Sequence, residues 1–245
     1  MMKYVNFHTH TKRCMHAGGT EEEYVRKAIQ QGVKHLGFSD HAPFPDFDYG
    51  YRMKMQELSE YITELKRLRK KYKDILEISI GLEIEYLPWH ESYYRSLLEE
   101  WGIDYLLLGQ HFYQNRQGYL SDAGTDCMEY AWSLERALNT GFFCVLAHPD
   151  VFINFSSPFA LRASKLIVEA AIHNGVVLEY NAARFRKDEQ WSDLQNPFWS
   201  IVRQANAKVI VGSDAHSPDC IWDEWMARAY ESLDELGIQP VFSIF

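Results

Sequence analysis

At 245 residues, 47% of them hydrophobic and 24% charged, the chain can bury a full core, and this composition excludes a disordered protein. The net charge of −9 argues against a nucleic-acid backbone as main partner, though not against a small phosphorylated molecule. No secretory signal pattern and no run near the ~18 apolar residues of a membrane helix occur, so a soluble protein is expected. The cysteines Cys14, Cys127, Cys144 and Cys220 lack any paired spacing and read as reduced thiols of a cytoplasmic protein.

In chain order, residues 4–7 form the first expected strand, which ends at His8-Thr9-His10. An extended segment returns alternate side chains to one face, so these two imidazoles share a side. His16 follows in the loop just beyond. Thr20 and Glu23 form a capping box for a helix that closes at Gly32. A second strand, 34–39, ends at Asp40-His41. A proline- and aromatic-rich loop over 42–51 then leads to a charged amphipathic helix at 55–72. The basic run from Lys66 to Lys71 reads as the solvated face of that helix. The third strand, 76–82, ends at Glu83. A helix over 91–101 and a short strand over 104–108 lead to Gly109-Gln110-His111.

The second half keeps this rhythm. A loop over 112–124 and a helix ending near 138 precede a strand at 142–147, which ends at His148-Pro149. A helix at 159–174, a strand at 176–179, a helix at 197–205 and a strand at 208–211 follow. The last of these empties into Gly212-Ser213-Asp214-Ala215-His216. Residues 222–236 read as a final helix and 241–245 as a terminal strand. Seven strands alternating with helices, with no linker and no repeat, imply one α/β domain over 1–245 built on a parallel sheet. An open doubly wound sheet would gather its ligands at one switch point. Here polar side chains follow strand after strand, which favours closure into a barrel whose strand ends share one mouth.

Seven of the ten histidines, with Asp40, Glu83 and Asp214, thus stand at or just beyond strand exits. Imidazole and carboxylate are ligands for divalent metals, and a glutamate can bridge two ions. Asp40 and His41 alternate in direction, so one ligates while the other orients a neighbour or handles a proton. His35, His90 and His173 read as structural or solvated.

The segments His8-Thr9-His10-Thr11, Cys14-Met15-His16-Ala17, Ser39-Asp40-His41-Ala42-Pro43-Phe44-Pro45, Arg52-Met53, Gly81-Leu82-Glu83-Ile84-Glu85, Gly109-Gln110-His111-Phe112, Ala147-His148-Pro149-Asp150, Asn181 with Arg186, and Gly212-Ser213-Asp214-Ala215-His216 extend over nearly the whole chain. Together they resemble the PHP (polymerase and histidinol phosphatase) superfamily, and within it the histidinol-phosphate phosphatases. The resemblance implies a distorted (β/α)7 TIM-like barrel with three divalent metal ions (Zn, Mn or Fe) at its C-terminal mouth. His8, His10, Glu83 and Asp214 would hold the first ion. Glu83, His111 and His148 would hold the second, and His16, His41 and His216 the third. The phosphatase subgroup usually carries a basic residue shortly after the fifth-strand histidine, where this chain reads Asp150-Val151-Phe152-Ile153-Asn154-Phe155.

The implied activity is that of a metal-dependent phosphomonoesterase converting L-histidinol phosphate to L-histidinol and phosphate in histidine biosynthesis. Alternatives are a phosphoesterase acting on a nucleotide, a cyclic phosphate or phosphotyrosine, or a non-catalytic metal-binding module. A phosphate monoester is a dianion that repels hydroxide, so hydrolysis requires neutralising charge and a nucleophile available at neutral pH, which metal-activated hydroxide supplies. Asp40, Asp214 and His216 are the catalytic candidates. Arg186 is the first candidate for a phosphate clamp, with Arg184 and Arg52 next, because a guanidinium fork matches phosphate. Asn181 would add a hydrogen bond, and residues 44–51 form a candidate lid.

Overall fold

The computed structural model describes residues 4–245. Seven parallel strands form one sheet: β1 (Val5–Asn6), β2 (His35–Phe38), β3 (Glu77–Ile84), β4 (Tyr105–Leu108), β7 (Phe143–Leu146), β8 (Val177–Asn181) and β9 (Val209–Gly212), paired in that order. The two outer strands meet beyond their ends, where Thr9 and Ala215 form a parallel bridge. The His10 amide donates to the Ala215 carbonyl at 2.9 Å, and the Ser213 amide donates to Asn6 Oδ1 at 3.0 Å. The sheet thereby closes almost completely into a barrel. A small antiparallel hairpin, β5 (Phe112–Gln114) and β6 (Leu120–Asp122), stands where the sequence suggests a loop. Its turn is built by Asn115, whose side chain accepts from the Gln117 and Tyr119 amides.

The helices α1 (Glu21–Gln30), α2 (Leu58–Tyr72), α3 (Glu91–Ser96), α4 (Cys127–Leu138), α5 (Ala160–His173), α6 (Ala183–Lys187), α7 (Pro197–Gln204) and α8 (Glu224–Leu236) lie along the chain between and after the strands. The capping box at the start of α1 is formed by Thr20 and Glu23, as the sequence suggests. Helix α3 runs on as a π-helical stretch through Trp101 and stops at Gly102 in the left-handed region. Helix α6 was not expected from the sequence.

Strand alternation decides what faces the barrel axis. Leu106, Leu108, Ile80, Leu82, Leu178, Tyr180, Val209 and Val211 belong to the large core between strands and helices. Phe7, Tyr105, Leu107, Val145, Val177 and Ile210 form a separate apolar plug inside. Continuing along those inward positions toward the C-terminal ends, period two brings up Glu83 on β3, Glu179 and Asn181 on β8, and Asp214 just past β9. The plug is apolar at the bottom of the barrel and polar at its mouth.

Residues 241–245 are not a strand. One ladder bond forms, from the Val241 amide to the Val209 carbonyl at 2.7 Å. The tail then curls under the barrel, with the Phe245 ring stacked on His35 at 6.3 Å and Ile244 joining the inner plug. Apolar packing against the open barrel bottom wins over a longer ladder.

Tyr105 fills the axis, its hydroxyl 2.6 Å from the Phe7 carbonyl and 3.0 Å from that of Phe38. A Cβ at Gly81 would overlap the Tyr105 ring. Gly81→Ala is therefore expected to destabilise the fold by about 1–3 kcal/mol and lower Tm by several degrees. An unchanged Tm in thermal unfolding would contradict this packing.

Candidate metal centre

The strand ends bring the polar side chains of the mouth into direct contact. His8 Nε2 lies 3.0 Å from His10 Nε2 and 3.2 Å from Glu83 Oε2. Asp214 Oδ1 is 3.5 Å and 3.3 Å from those two nitrogens. The other Glu83 oxygen faces a different pair, with His148 Nε2 at 3.1 Å and His111 Nε2 at 3.7 Å. His41 Nδ1 is 3.3 Å from Glu83 Oε2. His16 Nε2 and His216 Nε2 are 2.9 Å apart, and their donor atoms lie with that of His41 inside one 4.8 Å group. Donors bonded to a common ion at ~2.0–2.2 Å sit roughly 3–3.6 Å from each other. Most of these spacings fall in or near that range, so the cluster has the donor arrangement that could hold divalent ions.

The local backbone is shaped to this arrangement. His148 (φ 33°) and Asp214 (φ 49°) occupy the left-handed region, a strain of about 1–3 kcal/mol each. Gly109 and Gly212 are required beside the cluster, because a Cβ there would run into the carboxylates of Glu83 and Glu179.

Glu179, which the sequence reading missed, organises the back of the site. It is 1% exposed, and one oxygen lies 2.7 Å from His8 Nδ1. Its other oxygen accepts from the His148 amide and from Asn181 Nδ2, both at 3.0 Å. Glu85 does the same for His111 Nδ1 at 3.0 Å, while itself held by both terminal nitrogens of Arg52. A carboxylate two positions from Glu83 or Asn181 on an inward strand face was the available signal for both. Asp40 accepts from the Thr11 amide at 2.7 Å and the Thr11 hydroxyl at 2.9 Å, which holds the loop carrying His16. Burial pushes the Asp40 carboxyl up to about 6.

Electrostatics follow from crowding. Burial works to lower the pKa of His8 and His10, but the facing carboxylates win and hold both well above the usual value. Burial equally disfavours the charge of Glu83 and Asp214, yet the surrounding imidazoles hold both carboxyls well below their usual range. His41 is pushed well down and His216 down to about 4, mainly by burial. Buried His10 Nδ1 and His148 Nδ1 have no hydrogen-bond partner among the described residues. Mutually facing, buried imidazole nitrogens around two carboxylates fit divalent cations better than a network of protons. Cys14 Sγ also falls within 4.8 Å of donors on His10 and His216.

A cavity of about 1100 Å³ opens above the cluster, with Val151, Phe152, Ile153, Phe155 and Trp191 as its apolar wall. The three arginines expected to clamp a phosphate are engaged elsewhere. Arg186 does not line the cavity; it forks onto Asp223 at 2.6 Å and 3.1 Å and donates to the Ser213 and Cys220 carbonyls. Arg52 is buried on Glu85, and Arg184, though on the cavity wall, is held by Asp150 and Asp193. These guanidiniums brace loops, because long connections at a barrel mouth need internal partners for their carboxylates and carbonyls. Asn181 does line the cavity and donates to Asp214 Oδ2 at 3.2 Å. In the loop over 44–51, Phe44 is buried while Phe47 and Tyr51 are exposed, with the Tyr51 ring 5.9 Å from that of His16. His35, on Ser79 Oγ at 2.7 Å, and exposed His173 stand apart from the cluster, as does His90, which packs on Phe44.

The family model described as PHP domain matches residues 6–183. A "Probable histidinol-phosphatase" of Deinococcus radiodurans is 29% identical over 234 residues, spanning 86% of this chain and 85% of that one. The histidinol-phosphatase of Bacillus subtilis is 30% identical over 253 residues, spanning 85% of this chain and 92% of its own. The solved histidinol phosphate phosphatase of Lactococcus lactis, complexed with zinc, L-histidinol and phosphate, shares the fold. Its TM-score is 0.76 at 17% identity, covering 100% of this chain and 98% of that one.

Two outcomes follow from the site. Arg186→Ala should lower stability by about 2–3 kcal/mol, because it strands Asp223 and two carbonyls, and the loss is read as a drop in Tm. A wild-type Tm would return Arg186 to the phosphate. Raised pKa values at His8 and His10 mean that, without metal, their protons contribute stability below pH ~6.5 that is lost as pH rises through the elevated values. Metal competes for the same nitrogens, so adding Zn²⁺ or Mn²⁺ to metal-free protein at pH 7 should release protons, and apparent affinity should climb with pH. Calorimetry in two buffers of different ionisation enthalpy checks this; identical heats would refute it.

Proposed function

The chain belongs to the PHP domain family, and on that premise we propose that it is a metal-dependent phosphomonoesterase that hydrolyses L-histidinol phosphate to L-histidinol and phosphate. The observation that carries the reading is Glu83, whose two oxygens face two separate groups of imidazoles beneath one open cavity. The names and substantial coverage of the Deinococcus and Bacillus relatives support the substrate.

In this proposal His8, His10, Glu83 and Asp214 hold one divalent ion. Glu83, His111 and His148 hold a second, and His16, His41 and His216 a third, the ions being Zn, Mn or Fe. Once bound, such ions offset the phosphoryl charge and make a water-derived nucleophile available at neutral pH. The chain's own part is preparation. Glu179 accepts a hydrogen bond from the Nδ1–H of His8, which fixes the tautomer that keeps the Nε2 lone pair toward the centre, and Glu85 does so for His111. His41 and His216, with depressed pKa values, stay neutral and serve as ligands rather than acids. Asp40 acts through Thr11 by keeping His16 in place. Asn181 orients Asp214, and the apolar cavity wall limits competing water on the side of the organic group.

We place this activity in the cytoplasm. The four cysteines are unpaired, and no helix among the described residues is long and apolar enough to cross a membrane.

The test is phosphate release from L-histidinol phosphate beside generic phosphomonoesters, with metal-restored protein. A kcat/KM of about 10⁴ M⁻¹s⁻¹ or more for histidinol phosphate alone is expected. In the same assay His8→Ala should abolish turnover and lower the bound-metal content. Full activity in a correctly folded His8→Ala protein would sink the ligand assignment.

A further inference from the structure

A dianionic substrate approaching a chain of net charge −9 benefits from a cation at the cavity wall. Among the described side chains lining the cavity, only Arg184 and Lys187 carry permanent positive charge, and Arg184 is buried between two aspartates. Helix α6 explains the difference between neighbours. At about 100° per residue, Ala183, Arg184 and Lys187 fall on one side and line the cavity, whereas Arg186 is turned back onto Asp223. Lys187 is exposed, and no carboxylate among the described residues lies within ion-pairing distance of it. The adjacent Asp188 carboxylate accepts from the Gln190 amide at 3.0 Å instead. The ammonium therefore keeps its three donors on a flexible four-carbon stem, the form in which lysine binds phosphate as a point charge.

We propose that Lys187 captures the phosphoryl dianion at the cavity wall and sets the affinity of the site for phosphomonoesters, an inference that rests on the phosphatase reading above. The role belongs to the position where the sequence pointed one residue earlier, to Arg186. Since Lys187 is exposed, its attraction is screened within a Debye length of about 8–10 Å at ordinary ionic strength. Its contribution therefore fades with added salt, which a purely structural residue would not show.

The experiment uses the full chain loaded with metal, as wild type, Lys187→Met and Lys187→Arg. Steady-state kinetics on L-histidinol phosphate and p-nitrophenyl phosphate are run at low and high salt, and inorganic phosphate is titrated by calorimetry. Lys187→Met should raise KM and the phosphate Kd about tenfold, as loss of one charge-assisted hydrogen bond predicts, with the change carried in KM rather than kcat. The salt dependence of kcat/KM should flatten, and Lys187→Arg should restore most of both. Wild-type KM, phosphate Kd and salt slope in Lys187→Met would overturn the proposal. Should wild-type protein hydrolyse neither ester, the phosphatase reading falls separately, and the phosphate titration still decides the role of Lys187.

Discussion

A carboxylate with 1% of its surface exposed must either find partners for its charge or surrender it, and Glu83 finds them in imidazoles arriving from four other strand ends. Most of the mouth is arranged around that demand. Gly109 is small because the Glu83 side chain passes over it. His148 accepts a left-handed backbone that aims its ring at one Glu83 oxygen, while His8 and His10 approach the other. Barrel closure between Thr9 and Ala215 then brings Asp214 and His216 to the same centre.

Around this core of charge runs a ring of buried carboxylates that face backward, Glu179, Glu85 and Asp40. Each fixes an imidazole or the loop that bears one. Negative charge accumulates as a result, and the structure answers it with arginines. Arg52 neutralises Glu85, Arg184 is clamped by Asp150 and Asp193, and Arg186 pins the segment after β9 through Asp223. These pairs hold the cavity walls at fixed distances from the cluster, so the space above the cluster is shaped by ion pairs as much as by apolar packing. Asp150 is part of that bracing, with the Trp199 indole N–H donating to it at 3.0 Å.

The inward positions of the strands were legible because two simple rules coincide. Side chains alternate along a strand, and parallel strands joined by helices expose their C-terminal ends on one face. Glu83, His111 and Asp214 could be read from those rules. His148 was marked only by its place at a strand exit, since it follows inward Ala147 and a left-handed backbone turns its ring to the centre. Glu179 could have been read, since a carboxylate inside an apolar strand carries the same signal. The arginines could not. Within a five-residue helix such as α6, a shift of one position turns a side chain through about 100°, and nothing local states which side meets the cavity. The hairpin β5–β6 and the curled tail were hidden for a related reason. Short apolar runs pair or pack according to what lies across from them, which is decided by distant parts of the chain.

By itself, then, the sequence determined the alternation of strands and helices, the residues at the strand exits and the chemistry those residues share. All of this depends on period and composition, which are properties of neighbours along the chain. Only the tertiary structure decided which oxygen of Glu83 faces which imidazoles, which arginines brace loops, and that Lys187, among the described residues lining the cavity, is a cation with no carboxylate partner. Those outcomes depend on competition for partners across space, where a charge is free or engaged according to what folds against it.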